Sequence, residues 1–438
     1  IPNQTATICS GLAFTTTPVN ASPTVATIVP ASTTYTWTVV DNTSVTGDSN
    51  QATAQSSISQ TLTNITNTVQ TVVYTVTPTS GAQGSCPGAT FTVTVTVNPT
   101  PYVSAQTAVA CSGSGFTVSP VNATTSNIVP TGTTYSWSIP TVTGGITGGA
   151  AGTSQSTIFG TLTNPTNTVQ TATYTVTPTS GATGACVGAT FTVIATVNPK
   201  PVIPNQTATI CSGTAFTTTP VNASPTTATI VPSGTTYTWT VALNANVTGE
   251  SDQATAQTSI TQTLTNTTNT VQTVVYTVTP TSGASGACPG ATFTVTVTVN
   301  PKPTIANETT AVCSTNLFTV TPTTGGVNNN IIAAGTTYTW AAPVVTGGIT
   351  GGLLGTAQAS ITGTLTNPTN TPQTATYTVT PTSGTCAGAT FTVVVTVNPK
   401  PVIPNQTATI CSGLAFTTTL VNASPTTATI VPSGTTYT

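Results

Sequence analysis

A block of about a hundred residues recurs four times in this chain, and a fifth copy begins before residue 438. The block's end is its clearest marker: ATFTVTVTVNPTP at 89–101, ATFTVIATVNPKP at 189–201, ATFTVTVTVNPKP at 291–303 and ATFTVVVTVNPKP at 389–401. A second marker is Thr-Tyr-x-Trp or its Ser variant, at Tyr35/Trp37, Tyr135/Trp137, Tyr237/Trp239 and Tyr338/Trp340. Self-similarity at this period makes one copy the folding unit and the chain an array. Such a design multiplies length and number rather than assembling one active site. The expected modules are 1–101, 102–201, 202–303 and 304–401, with 402–438 as the truncated start of a fifth. Repeats one and three share TATICSGxAFTTTPVNASPT, while two and four share TGGITGG, so the larger period is a pair of modules. The chain starts and stops inside a repeat, which predicts a window on a longer polypeptide.

Within a repeat the pattern is that of strands. In 33–40, Tyr35, Trp37 and Val39 alternate with Thr34, Thr36 and Thr38; in 90–97, Phe91, Val93, Val95 and Val97 alternate with Thr92, Thr94 and Thr96. Shorter strands are expected at 4–9, 13–19, 56–62 and 71–77. Period-two alternation broken by turn residues every eight to fifteen positions predicts an all-β fold of antiparallel, immunoglobulin-like sandwiches, following one another end to end. No stretch carries a 3.6-residue period. Trp37, Trp137, Trp239 and Trp340 fall on the apolar face and are expected in the core rather than on a sugar-stacking surface. The joints at 98–101, 198–201, 300–303 and 398–401 each hold two prolines, which favours a semi-rigid, extended connection.

The inventory excludes most chemistry. Charged residues are 2% of the chain, with three lysines, five acids, and no arginine, histidine or methionine. Hydroxyls abound, but an activated hydroxyl needs a base beside it, so no enzyme and no cofactor are expected. Lys200, Lys302 and Lys400 sit only in the joints, so there is no basic patch for nucleic acid or anionic membrane. No apolar run reaches the length of a membrane helix. Buried Lys–Asn cross-links are excluded by the same placement of the lysines. The one weak metal candidate is calcium at Asp48, Glu250 and Asp252, in GDSNQ and GESDQ turns; a solvated turn is the simpler account. TGGITGG lacks the Lys-Ser/Thr of a phosphate loop and reads as a tight turn. Asn-x-Ser/Thr triplets, including those at Asn3, Asn64 and Asn122, arise by chance in so Thr- and Asn-rich a chain. The outward threonines could form a grid for ice or a crystalline polysaccharide, but sheet twist works against a flat lattice match.

Nine cysteines are placed periodically. Cys9, Cys111, Cys211, Cys313 and Cys411 follow the first strand of each copy; Cys86, Cys186, Cys288 and Cys386 precede the last. Without histidine or acidic neighbours they read as disulfides in an oxidising, extracellular setting. Two schemes stand open. One pairs within each module: Cys9–Cys86, Cys111–Cys186, Cys211–Cys288 and Cys313–Cys386. The other is staggered: Cys9–Cys186, Cys111–Cys288 and Cys211–Cys386. If the chain runs into a sandwich at one end and out at the other, its first and last strands point the same way. The within-module cysteines then lie a strand apart, roughly 24 Å, against the ~7 Å that a disulfide spans. This geometry tips toward the staggered scheme.

Taken together, TxCSGxxFT, TTYTWT, YTVTPTSG and CxGATFTVTVTVNPKP resemble the PKD-like and immunoglobulin-like tandem repeats of very large secreted proteins of Bacteroidetes-type bacteria, including gliding-motility-associated adhesins exported by the type IX route. One departure is plain: a typical PKD domain follows its Trp with Phe-Gly-Asp-Gly, and Trp37 is followed by Thr-Val-Val-Asp. The resemblance implies an extracellular, cell-surface β-sandwich stalk serving adhesion or motility. The alternatives are a filament of identical chains associating side by side, which near-zero charge would permit, and, more weakly, direct binding of a surface or glycan by the repeats.

Overall fold

The computed structural model describes residues 1–20, 27–123, 126–222, 228–421 and 428–438. Among these the chain is all strand and turn, with no helix. The described residues of the first repeat form eight strands: β1 (Gln4–Cys9), β2 (Leu12–Thr16), β3 (Thr34–Val39), β4 (Val45–Thr46), β5 (Gln51–Gln55), β6 (Ile58–Asn64), β7 (Gln70–Thr79) and β8 (Phe91–Asn98). They form two sheets, β1-β8-β7-β3-β5 and β2-β6-β4. Alternation decides the facing. Tyr35, Trp37, Val72, Tyr74, Val76, Phe91, Val93, Val95 and Val97 from the larger sheet meet Phe14, Val45, Ile58 and Leu62 from the smaller. That is an immunoglobulin-like sandwich core.

One feature corrects the expectation of purely antiparallel sheets. β1 and β8 pair in parallel, from Gln4 opposite Val93 to Cys9 opposite Asn98. The other pairs of the larger sheet, β7–β8, β3–β7 and β3–β5, are antiparallel. The same parallel pair recurs as Gln106–Cys111 with Phe191–Asn198, Gln206–Cys211 with Phe293–Asn300, and Glu308–Cys313 with Phe391–Asn398. A parallel edge pair needs a long connection, and here it spans the whole sandwich. β5 carries no apolar alternation, only QATAQ, and the sequence reading missed it. It is an edge strand, held by its register with β3 rather than by burial.

The third repeat copies the first, with the smaller sheet made by Thr214–Thr218, Ile260–Asn266 and Val247–Thr248. In the second and fourth repeats the smaller sheet is a pair: Gly115–Val118 with Ile158–Thr161, and Leu317–Val320 with Ile361–Thr364. The glycine-rich TGGITGG turns stand where repeats one and three place the third strand. From 402 on, the described residues form no strand, only a bridge between Val402 and Ile430.

By internal contact the chain divides into two compact units. The first holds 1–203 with the segments 221–235 and 281–290 of the third repeat; the second holds 204–220, 236–280 and 291–438.

Candidate functional site

The candidate site is built from the periodically placed cysteines. The parallel register fixes where they lie. Cys9 stands opposite Asn98, at the end of β8 where the chain leaves the sandwich. Cys86 precedes Phe91, at the other end of the same strand. Seven strand steps separate the two ends, about 23 Å at ~3.3 Å per residue, too far for a bond. The structure accordingly forms none of the within-module pairs Cys9–Cys86, Cys111–Cys186, Cys211–Cys288 or Cys313–Cys386. Cys9 is joined to Cys186 and Cys111 to Cys288, each with 5.6 Å between Cα atoms, and Cys211 is joined to Cys386 at 5.5 Å. The first two bonds lie within the first unit and the third within the second. Cys86, Cys313 and Cys411 are exposed and unbonded.

Close contacts seat the joints at 98–101 and 300–303. In the first unit the Ser10 amide donates to the Asn98 carbonyl at 2.9 Å, continuing the β1–β8 ladder, and the Thr100 hydroxyl donates to the Ser10 carbonyl at 3.2 Å. The loop that bears Cys186 closes with Ser180 N to Cys186 O and Gly188 N to Pro178 O, both 2.9 Å. Gly188 is there for space: a Cβ on it would sit 2.0 Å from the Pro101 carbonyl oxygen. In the second unit Gly388 stands in the same relation to Pro303, at 2.2 Å. The cysteine-bearing loop therefore lies flat on the proline joint, and a side chain at this position would lift it.

A second buried device went unread in the sequence. Asn64 closes β6 and is almost wholly buried. Its Nδ2 donates to the carbonyls of Thr68 (2.7 Å) and Val97 (3.0 Å), and its Oδ1 accepts from the Thr66 amide (2.9 Å) and hydroxyl (2.8 Å). The Ser10 hydroxyl accepts the Asn64 amide at 2.9 Å. One side chain thus ties the smaller sheet to the last strand of the larger. Asn164, Asn266 and Asn367 make the same bonds to Val197, Val299 and Val397. Its one sequence signal is TLTN, recurring before a polar turn at 61–64, 161–164, 263–266 and 364–367.

The tryptophans lie inside: Trp37, Trp137, Trp239 and Trp340 are 5–6% exposed. Each indole N–H donates to a backbone carbonyl, of Ser49, Ala150, Ser251 and Leu353 respectively. A shallow groove of about 360 Å³ runs beside Trp37, lined by Thr36, Thr38, Gln51, Thr75 and Thr77, but the ring itself is covered.

The three acids considered for calcium are turn acceptors, Asp48 in the first repeat and Glu250 and Asp252 together in the third. Asp48 accepts the Asn42 amide at 3.0 Å, and Glu250 accepts the Asn244 amide. Asp252 accepts the Val241 amide at 2.8 Å, a bond that the neutral Asn50 makes to Val39 in the first repeat. An uncharged residue does the same work, so the requirement is for an oxygen in that place rather than for charge. Among the described residues no three His, Cys, Asp or Glu side chains gather as a metal set. Burial, with the negative Asp48 second, holds the Tyr74 hydroxyl well above its usual range; burial and then Glu250 do so for Tyr276. Burial pushes Tyr377 up to about 12.

Outward on the larger sheet, threonines stand in rows across strands. Thr92, Thr75 and Thr38 form one row and Thr7, Thr96 and Thr71 another; Val73 interrupts the row of Thr5 and Thr94.

Parallel-edged sandwiches repeated in tandem and bonded repeat to repeat define a modular, all-β repeat array. The chain belongs to the PKD-like domain family, whose model matches residues 6–101, 106–201, 208–303 and 310–401. The Thr-Val-Val-Asp that follows Trp37 lies within the first of these matches. No curated protein matches the chain. Among solved structures, the human desmocollin-1 ectodomain aligns over 91% of this chain and 80% of its own at 11% identity and a TM-score of 0.26. Immunoglobulin domains 1–4 of Sidekick-1 align over 91% and 97% at 11% identity and a TM-score of 0.21. The I67–I69 fragment of titin aligns over 68% and 99% at 8% identity and a TM-score of 0.26. No helix of the described residues is long and apolar enough to cross a membrane.

Proposed function

We propose that the chain is a stretch of a non-catalytic stalk, part of a secreted or cell-surface adhesin, which carries an adhesive or motility function away from the cell. The modules of this reading are 1–101, 102–201, 202–303 and 304–401, with 402–438 opening another. The observation that carries it is the staggered bonding of Cys9–Cys186, Cys111–Cys288 and Cys211–Cys386, which commits six of the chain's nine cysteines to joining one repeat to the next. Such bonds persist in oxidising surroundings, which favours an extracellular site at the cell surface. The resemblance to gliding-motility-associated adhesins supplies the finer reading, including export by the type IX route.

A second reading rests on the outer face of the larger sheet. Thr5, Thr7, Thr71, Thr75 and Thr38 are exposed there, without a charge among them, beside the exposed Val73. Nothing on that face repels a second copy, so a filament of laterally associated chains is the alternative. Direct binding of a polysaccharide by the repeats is weaker, because the tryptophans are covered. Electron microscopy of the native assembly separates the readings. A single thin beaded strand ending in a distinct tip supports the stalk; several chains wound together refute it in favour of the filament.

A further inference from the structure

We infer that the staggered disulfides turn the array into two interleaved covalent tracks that carry tension past the sandwiches. Consider where a pull travels. It passes along β1 to Cys9, crosses to Cys186, follows Phe191–Asn198 and the joint into Gln206–Cys211, crosses again from Cys211 to Cys386, and continues through Phe391–Asn398. Cys111–Cys288 belongs to the other track, which runs from Cys86 to Cys111 and from Cys288 to Cys313. Every track segment is the same: a last strand, a proline joint, and the next first strand. Its cysteines are 25 positions apart in each case, at 86 and 111, 186 and 211, 288 and 313, 386 and 411.

Two consequences follow from the register. In each sandwich one track takes the first strand and the other takes the last. These two strands are hydrogen-bonded neighbours running in parallel. Tension in both tracks therefore points the same way through one strand pair, and the parallel edge acquires a physical reason. Both strands are already extended backbone, and prolines stiffen the joint between them, so a segment has little length to give. The remaining strands, in 10–85, 112–185, 212–287 and 314–385, hang as covalent loops off the load path. Unfolding them releases no length to the pull.

The inference deepens the stalk reading and concerns the same joints, but its test asks only where tension goes. An array that adheres to nothing could pass, and a true adhesin stalk could fail. The test is single-molecule stretching of the 438-residue chain between its termini, with the bonds intact. The shortest covalent path then holds the extension to about 310 Å, at ~3.5 Å per residue. Reduction raises the limit to about 1,500 Å, roughly fivefold, with domain-sized release events. A Cys211→Ser/Cys386→Ser chain should more than double the oxidised limit. A Cys111→Ser/Cys288→Ser chain should leave it unchanged, because that bond lies on the other track. Circular dichroism of each variant checks that the sandwiches form. Domain-sized releases in the oxidised parent, or equal lengthening by both double variants, would overturn the inference.

Discussion

Removing the side chain that ties the two sheets offers the sharpest local test of the fold. Asn164 is 2% exposed and makes four bonds: to the carbonyls of Thr168 (2.7 Å) and Val197 (3.0 Å), and from the amide (2.9 Å) and hydroxyl (2.8 Å) of Thr166. In Asn164→Ala, water replaces the bonds at the exposed Thr168. It reaches Val197, itself wholly buried, poorly. One or two buried groups left unpaired cost about 1–3 kcal/mol each, so the second repeat should lose about 2–4 kcal/mol. An array does not unfold as a single two-state system, so the measurement has to be local. Native-state hydrogen exchange of peptides covering 158–164 and 191–198 should speed up about 30- to 1,000-fold. The fourth repeat, with its own Asn367, should not change. Asn164→Asp, which sets an acceptor against the Val197 carbonyl, should be at least as damaging. Thr166→Val, which loses one hydroxyl bond, should cost about 1 kcal/mol. Exchange within threefold of the parent in Asn164→Ala would refute the claim that this residue couples the sheets.

Other outcomes follow from the same geometry. A non-reducing peptide map should link the Cys9 peptide to that of Cys186, and a Cys9–Cys86 link would end the staggered arrangement. The bonded spans 9–186, 111–288 and 211–386 overlap, so a single proteolytic cut anywhere between Cys9 and Cys386 should leave one piece on a non-reducing gel and two after reduction. Gly188→Val should open the joint against Pro101 and raise protease sensitivity at 99–105, while the second repeat's own exchange stays near that of the parent. For pH, the folded Tyr377 hydroxyl ionises near 12 against an ordinary value of 10. Folding thus favours the neutral phenol; this stability is full below pH 10 and is lost as pH rises toward 12. Tyrosinate absorbance should show the buried tyrosines ionising only together with unfolding, and early ionisation in a folded chain would count against their burial. Asn64, although in an Asn-x-Thr triplet, should carry no glycan in the folded protein by mass spectrometry, because its amide is fully engaged.

Much of the fold was written in local pattern. The alternation of Thr with Val, Tyr, Trp and Phe set β3, β7 and β8 and their inward faces, because side chains alternate across a strand whatever its neighbours are. The absence of histidine and arginine was legible in the composition alone. Local pattern could not supply β5, an edge strand with no buried side chain to announce it. Nor could it tell the pinning Asn64 from the many other asparagines, since only the fold brings Val97 to its amide. The acids were legible as turn residues, but that Asn50 and Asp252 do one job is visible only in the folded chain, where each accepts the equivalent amide, of Val39 and of Val241.

Composition and period alone determined that this chain is an array of sandwiches with paired cysteines, since β-alternation and tandem copies are local properties of the polymer. Which cysteine meets which was decided by tertiary structure. The parallel pairing of β1 with β8 places Cys9 and Cys86 at opposite ends of one strand, and that strand's length forbids the nearer partner. Direction is a property of two strands together, and no single stretch of sequence contains it.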